Sequence, residues 1–139
     1  MTKKIIQGTI TGGIAFFLLG WLFFGILFMD FLSSGMNQCA TKPDGEITWW
    51  ALIASNIITA LFLTLFLKWS GAKSIKDGLK TGAIFGFLYA AGIDLSFWSM
   101  TTMYNNIKFL VADVAINTLM LTLVAIIIVL LWGREKTGK

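Results

Sequence analysis

Residues 121–132 read LTLVAIIIVLLW, a stretch with no charge, glycine or proline. It is the end of an apolar run from residue 109 to residue 132, longer than the ~20 residues an α-helix needs to cross a hydrocarbon layer ~30 Å thick. A strand is excluded because membrane strands are about half this length and alternate apolar with polar residues. Three further runs precede it, at residues 10–32, 49–67 and 81–103. The third, TGAIFGFLYAAGIDLSFWSMTTM, is apolar enough to insert despite Asp94 in its interior.

With their flanks these runs predict helices at residues 8–32, 48–68, 75–103 and 109–132. Residues 1–139 thus read as a single all-α, four-helix transmembrane domain. Composition agrees: 57% of residues are hydrophobic, 13% are charged and the mean hydropathy is +0.81. A large domain in water is excluded. The chain has no histidine and one cysteine, Cys39, so a His/Cys metal cluster, a histidine base, a histidine haem ligand and an internal disulfide are excluded as well. Neither a cofactor nor a catalytic residue is expected.

Basic residues give an expected topology. Lys3 and Lys4 precede the first run, Lys68, Lys73, Lys76 and Lys80 separate the second from the third, and Arg134, Lys136 and Lys139 follow the fourth. Only Lys42 and Lys108 fall in the other connections. The positive-inside rule then places both termini and the middle connection in the cytoplasm of a bacterial inner membrane. The net charge of +4 reflects these flanks and forms no single basic face, so nucleic acid is not an expected partner. The first run is too long for a signal peptide and lacks a small-residue cleavage pattern, and Met36-Asn37-Gln38 before Cys39 does not form a lipoprotein acceptor site. Trp49 and Trp50 fit the outer interface, and Trp69 and Trp132 the inner one. Pro43-Asp44-Gly45 marks a turn, and Ser74 with Asp77 has the spacing of a capping box that starts the third helix.

Residues 3–17, KKIIQGTITGGIAFF, align at an offset of 70 with residues 73–87, KSIKDGLKTGAIFGF. Identities at Lys3/Lys73, Ile5/Ile75, Gly8/Gly78, Thr11/Thr81, Gly12/Gly82, Ile14/Ile84 and Phe17/Phe87 point to two related hairpins. Because both begin on the same side, the repeat is parallel, about an axis along the membrane normal. Gly8 and Gly12 form a GxxxG motif, and Gly78, Gly82 and Gly86 a longer ladder of small residues. Small faces let backbones approach closely in lipid, so the first and third helices are expected to meet at their cytoplasmic ends, with a homodimer through the same stripe as the alternative.

Three carboxylates fall within the runs. From a rise of 1.5 Å per residue, Asp30 lies ~3 Å, Asp113 ~6 Å and Asp94 ~13 Å inside the outer helix ends, and Asn56 ~10 Å. Asn117 follows Asp113 by one turn on the same face. No lysine or arginine lies in the runs to pair with the acids, so each must be protonated, hydrated, or matched by a cation or hydrogen-bond donors. The expectation is an outward-facing polar pocket with Asp94 at its floor and Asp30, Asp113, Asn56 and Asn117 around it, able to hold a proton, a cation or a cationic lipid headgroup. The competing reading makes Asp30 and Asp113 solvated end residues, Asp113 favoured by the helix dipole, and the two asparagines interhelical hydrogen-bond partners. Ser96 and Ser99 lie close to Asp94 but have no base to activate them. Trp21 and Trp98 read as packing or lipid-facing bulk.

Three segments carry a resemblance: LGWLFFGILF (residues 19–28), KDGLKTGAIFGF (76–87) and NNIKFLVADVAINTLM (105–120). Together they resemble a family of small four-helix bacterial integral membrane proteins of unassigned function. The chain departs from that family at Leu22-Phe23-Phe24, where its members often carry Tyr-Ser-Pro after the tryptophan. The resemblance implies a fold and a membrane location, with no activity or catalytic residue to carry over.

The functional expectation is a non-enzymatic inner-membrane protein in contact with the lipid bilayer, working as an assembly partner of another membrane protein or as a homo-oligomer. The alternative is a minimal proton- or cation-linked transporter or channel using Asp94. Transport needs a polar route to both sides, and the inner halves of the runs, rich in Phe, Leu and Ile, offer none within one chain.

Overall fold

The computed structural model describes residues 2–134, apart from the side chains of Asp44 and Arg134; Lys136 and Lys139, counted in the topology above, lie outside the described residues. Helix α1 (Thr2–Leu22) continues into a π-helical turn, Phe23–Leu27, and after Phe28 a short helix α2 (Met29–Gly35) follows. Two single 3-10 turns lead to α3 (Trp49–Trp69), and α4 (Ile75–Met100) and α5 (Ile107–Arg134) complete the chain. Four stretches, Thr2–Leu27, Trp49–Trp69, Ile75–Met100 and Ile107–Gly133, are long and apolar enough to cross a membrane. The described residues contain no strand, only an isolated antiparallel bridge between Met36 and Tyr104.

Local chemistry sets the helix ends. The Asp77 amide donates to Ser74 Oγ at 3.2 Å and the Ser74 amide to Asp77 Oδ2 at 2.9 Å, the reciprocal box that starts α4. Gly71, at φ +71°, makes the turn out of α3 in a conformation that costs other residues strain. The first run does not remain one helix to residue 32. Its π-helical turn closes with Phe28 N–H donating to Phe23 C=O at 2.8 Å, and the bend packs Phe23 and Leu32 beside Ile116 of α5. A π-turn adds a residue to the helical repeat and re-aims the side chains beyond it, with no proline required.

Helix α5 is the centre of the bundle. Val124, Ala125 and Ile128 are fully buried, facing Leu63 and Leu67 of α3. Helix α1 packs on α3 and α5, and α4 packs on α5. The two glycine faces therefore do not meet each other as expected: Gly8 and Gly12 lie against Thr64 and Ala60 of α3 and Ile128 of α5, while Gly78, Gly82 and Gly86 lie against α5 from Ile126 to Thr118. The reason is on α5, whose Ala125, Thr122 and Thr118 give α4 a surface low enough for backbone approach. Large apolar side chains on the outer surface, Ile14, Leu18, Ile58 and Leu88 among them, are exposed and suit lipid contact.

Trp132 also departs from expectation. Its ring is buried, its indole N–H donates to the Lys4 carbonyl at 3.0 Å, and the Lys4 ammonium lies 5.8 Å from the ring centroid. It ties the start of α1 to the end of α5 and is not a lipid-facing anchor, whereas Trp50 and Trp69 are well exposed.

Candidate functional site

The 101–106 connection turns the chain from α4 into α5 and brings their acidic residues to one height. Asp94 lies ~9 Å before the end of α4, and Asp113 ~9 Å after the start of α5. Asp94 is shallower than expected because α4 stops at Met100. Both side chains are buried, with 5% and 6% exposure.

Asp113 is fully engaged. Tyr104 Oη donates to its Oδ2 at 2.6 Å, and Asn117 Nδ2 donates both to its Oδ1 at 3.1 Å and to its main-chain carbonyl at 3.0 Å. Each of its two oxygens thus has a donor within hydrogen-bond distance. Asp94 faces this pair from α4, and its Oδ2 is buried without a hydrogen-bond partner. Burial pushes the Tyr104 hydroxyl above the usual phenol range, with the Asp113 hydrogen bond and charge adding to it, then Asp94 in smaller measure.

Tyr104 is held in place by its backbone. Asn37 N–H donates to Met103 C=O and Asn105 N–H to Gly35 C=O, each at 2.8 Å, so the end of α2 is stapled to the connection carrying Tyr104. Gly35 sits so close over the Phe109 ring that a Cβ there would strike it. Sequence reading missed Tyr104, which sits in the polar segment TTMYNN and reads as a loop residue. The available signal was a tyrosine, an amphipathic interfacial side chain, placed just before a run that carries an intramembrane acid.

Of the five expected pocket residues the structure brings three together, Asp94, Asp113 and Asn117. Asp30 lies in the first turn of α2 with an exposed side chain. Asn56 lines a different space, between α1 and α3. The re-aimed segment after the π-helical turn puts Asp30 on the surface, and the face of α3 that carries Asn56 turns to α1. Ser96 and Ser99 hydroxyls donate to the Gly92 and Ser96 carbonyls, both at 2.9 Å, within their own helix. The result is a closed, acid-rich site roofed by Tyr104, with one carboxyl oxygen left over. Comparison with family models, curated proteins and solved structures finds no match to this chain.

Proposed function

We propose that the chain is a small, non-enzymatic multi-pass protein of a bacterial inner membrane that holds a proton at the Asp94–Asp113 pair. Asp94 Oδ2 carries this reading: a buried carboxyl oxygen at membrane depth, without donor or cation, is tolerable when the group carries a proton. Asp113 supplies the complementary half, since its two oxygens already accept from Tyr104 and Asn117. A proton suits the site better than a metal. Hard cations take six or more oxygen ligands, and the described residues gather no group of three His, Cys, Asp or Glu side chains.

Below the pair, Gly86 closes on Thr118 and Gly82 on Thr122 of α5. Thr118 and Thr122 hydroxyls donate to carbonyls one turn back along their own helix, at 2.6 Å each. That packing favours a site reached from one side over a transport path. The lysine asymmetry makes that side the outer one and leaves both termini cytoplasmic. The parallel repeat draws support from Gly8/Gly78 and Gly12/Gly82, which the 70-residue offset aligns: Gly8 and Gly12 lie against Thr64 and Ala60 of α3, and Gly78 and Gly82 against α5, in each case the second helix of the same hairpin. Action as an assembly partner or homo-oligomer would fall to the exposed apolar faces, because the glycine faces are occupied within the chain. The resemblance to the small four-helix membrane family belongs to this same reading.

Metal dependence tests the site. In detergent at neutral pH the thermal midpoint is expected to be indifferent to sodium, potassium, magnesium and calcium. Asp94→Leu should melt as high as the parent or higher, because it removes an unpartnered buried oxygen whose cost is about 1–3 kcal/mol. A midpoint that rises with one of these ions in the parent, and not in Asp94→Leu, would replace the proton with that metal.

A further inference from the structure

The carboxyl pair is covered at one end by a small unit of its own. Below the pair α4 and α5 approach closely at Gly86 and Thr118 and again at Gly82 and Thr122, so no way in runs along that seam. At the other end the cover is Tyr104, buried with its hydroxyl on Asp113, and the end of α2, which lies on the 101–106 connection. Two backbone bonds hold this cover, Asn37 N–H to Met103 C=O and Asn105 N–H to Gly35 C=O. Met36 packs with Tyr104, Phe109 and Leu110 in a cluster apart from the main core of Leu63, Leu67, Val124 and Ile128.

Helix α2 is joined to the bundle by breaks at both ends. It is seven residues long, preceded by Phe28, whose φ of −113° and ψ of 6° depart from the helix after the π-helical turn, and followed by Met36, which is extended. From there to Thr48 the chain holds only two single 3-10 turns. Its grip on the rest is Leu32 beside Phe23 and Ile116, and Gly35 over the Phe109 ring. A segment with so few buried groups opens at a lower free energy than the long helices it covers.

The titratable groups acting on Asp94 are Asp113 from α5 and Tyr104 from the connection. Asp30 of α2 is exposed, and so is Lys108 of α5, whose ammonium lies 4.9 Å from the Phe109 ring centroid. Neither supplies charge inside the closed site.

We propose that α2 and Tyr104 form a lid on the Asp94–Asp113 site, closed while Asp94 holds its proton and open when that proton has left for water. The proposal rests on the proton reading above and adds to it the moving part and the way out. With the lid open, Tyr104 Oη leaves Asp113, water hydrates both carboxyls, and the proton passes from Asp94 to that water; closing takes one proton back. Because the closed state binds a proton that the open state releases, opening gains as pH rises, by up to about tenfold per pH unit.

Hydrogen exchange of the full-length protein in lipid nanodiscs reads the lid through the Asn37 and Asn105 amides, each rate divided by that of an unstructured peptide at the same pH. Their protection is expected to fall at least about tenfold between about pH 5 and about pH 8. In Asp94→Leu it should stay constant across the same range. Gly35→Ala, whose added Cβ meets the Phe109 ring, should hold the lid open: both amides lose their protection at either pH, and the infrared carbonyl band of a protonated carboxyl group is lost at neutral pH. Amide protection within α5 reports whether each variant folds, and if Gly35→Ala does not, Asp94→Leu decides. A parent that shows the infrared band, while its Asn37 and Asn105 protection ignores pH, overturns the lid and leaves the proton site standing. An equal fall in the parent and in Asp94→Leu overturns the coupling of the lid to Asp94. A parent without the band overturns the proton reading, and the lid with it.

Discussion

Gly82→Val is expected to destabilise the protein by about 3 kcal/mol, at the upper end of what overpacking costs in a filled core. A Cβ at residue 82 would lie 2.6 Å from the Ala125 methyl and 2.9 Å from Thr122 Cα. The methyl belongs to a fully buried residue and the second atom is backbone, so neither can step aside without moving α5. Because α5 also holds α1 and α3, the displacement spreads beyond one helix pair. Gly92→Ala is the control on the same helix: nothing lies within 4 Å of its added methyl, and a gain of about 0.5–1 kcal/mol is expected from helix propensity. Unfolding of both variants in mixed micelles with increasing dodecyl sulfate measures the contrast. Equal stability of the two would mean that the glycine ladder is not where α4 meets α5.

Tyr104→Phe is expected to cost about 2 kcal/mol. The change keeps the ring and removes the hydroxyl that donates to Asp113 Oδ2, leaving a buried carboxylate oxygen without its donor. Asp113→Leu alone is costly for the converse reason, since the Tyr104 hydroxyl loses its acceptor and the Asn117 amide loses its side-chain acceptor. The double variant Tyr104→Phe/Asp113→Leu should lie above the sum of the two losses by 0.5–3 kcal/mol, the range for groups in one network. Strict additivity in this cycle would mean that Tyr104 and Asp113 do not interact.

The four membrane-length helices were legible because continuous apolar runs leave little choice in hydrocarbon: each backbone polar group must be satisfied within its own helix. The start of α4 was legible too, since the Ser74–Asp77 box is a short-range signal independent of the rest of the fold. The partner of the glycine faces was not. Gly78, Gly82 and Gly86 show that a backbone comes close, but the acceptor is set by Ala125, Thr122 and Thr118, small or short residues inside a run that reads as uniformly apolar. Helices apolar all round give no moment to say which face turns inward, so Asn56 and Asp94 looked equivalent and yet face different neighbours. The re-aiming of Asp30 depends on a π-helical turn in FFGIL, a segment with no proline to mark the bend. Tyr104 was hidden because its position depends on pairing between residues 35–37 and 103–105, which are far apart in sequence.

Infrared spectroscopy of the reconstituted protein at neutral pH tests the buried proton most directly. A protonated carboxyl group has a carbonyl stretch well separated from those of carboxylates and amides, and it shifts when the proton is exchanged for deuterium. The parent protein should show one such band, and Asp94→Leu should lack it. A parent without the band, or a band that survives in Asp94→Leu, would contradict a proton held on Asp94.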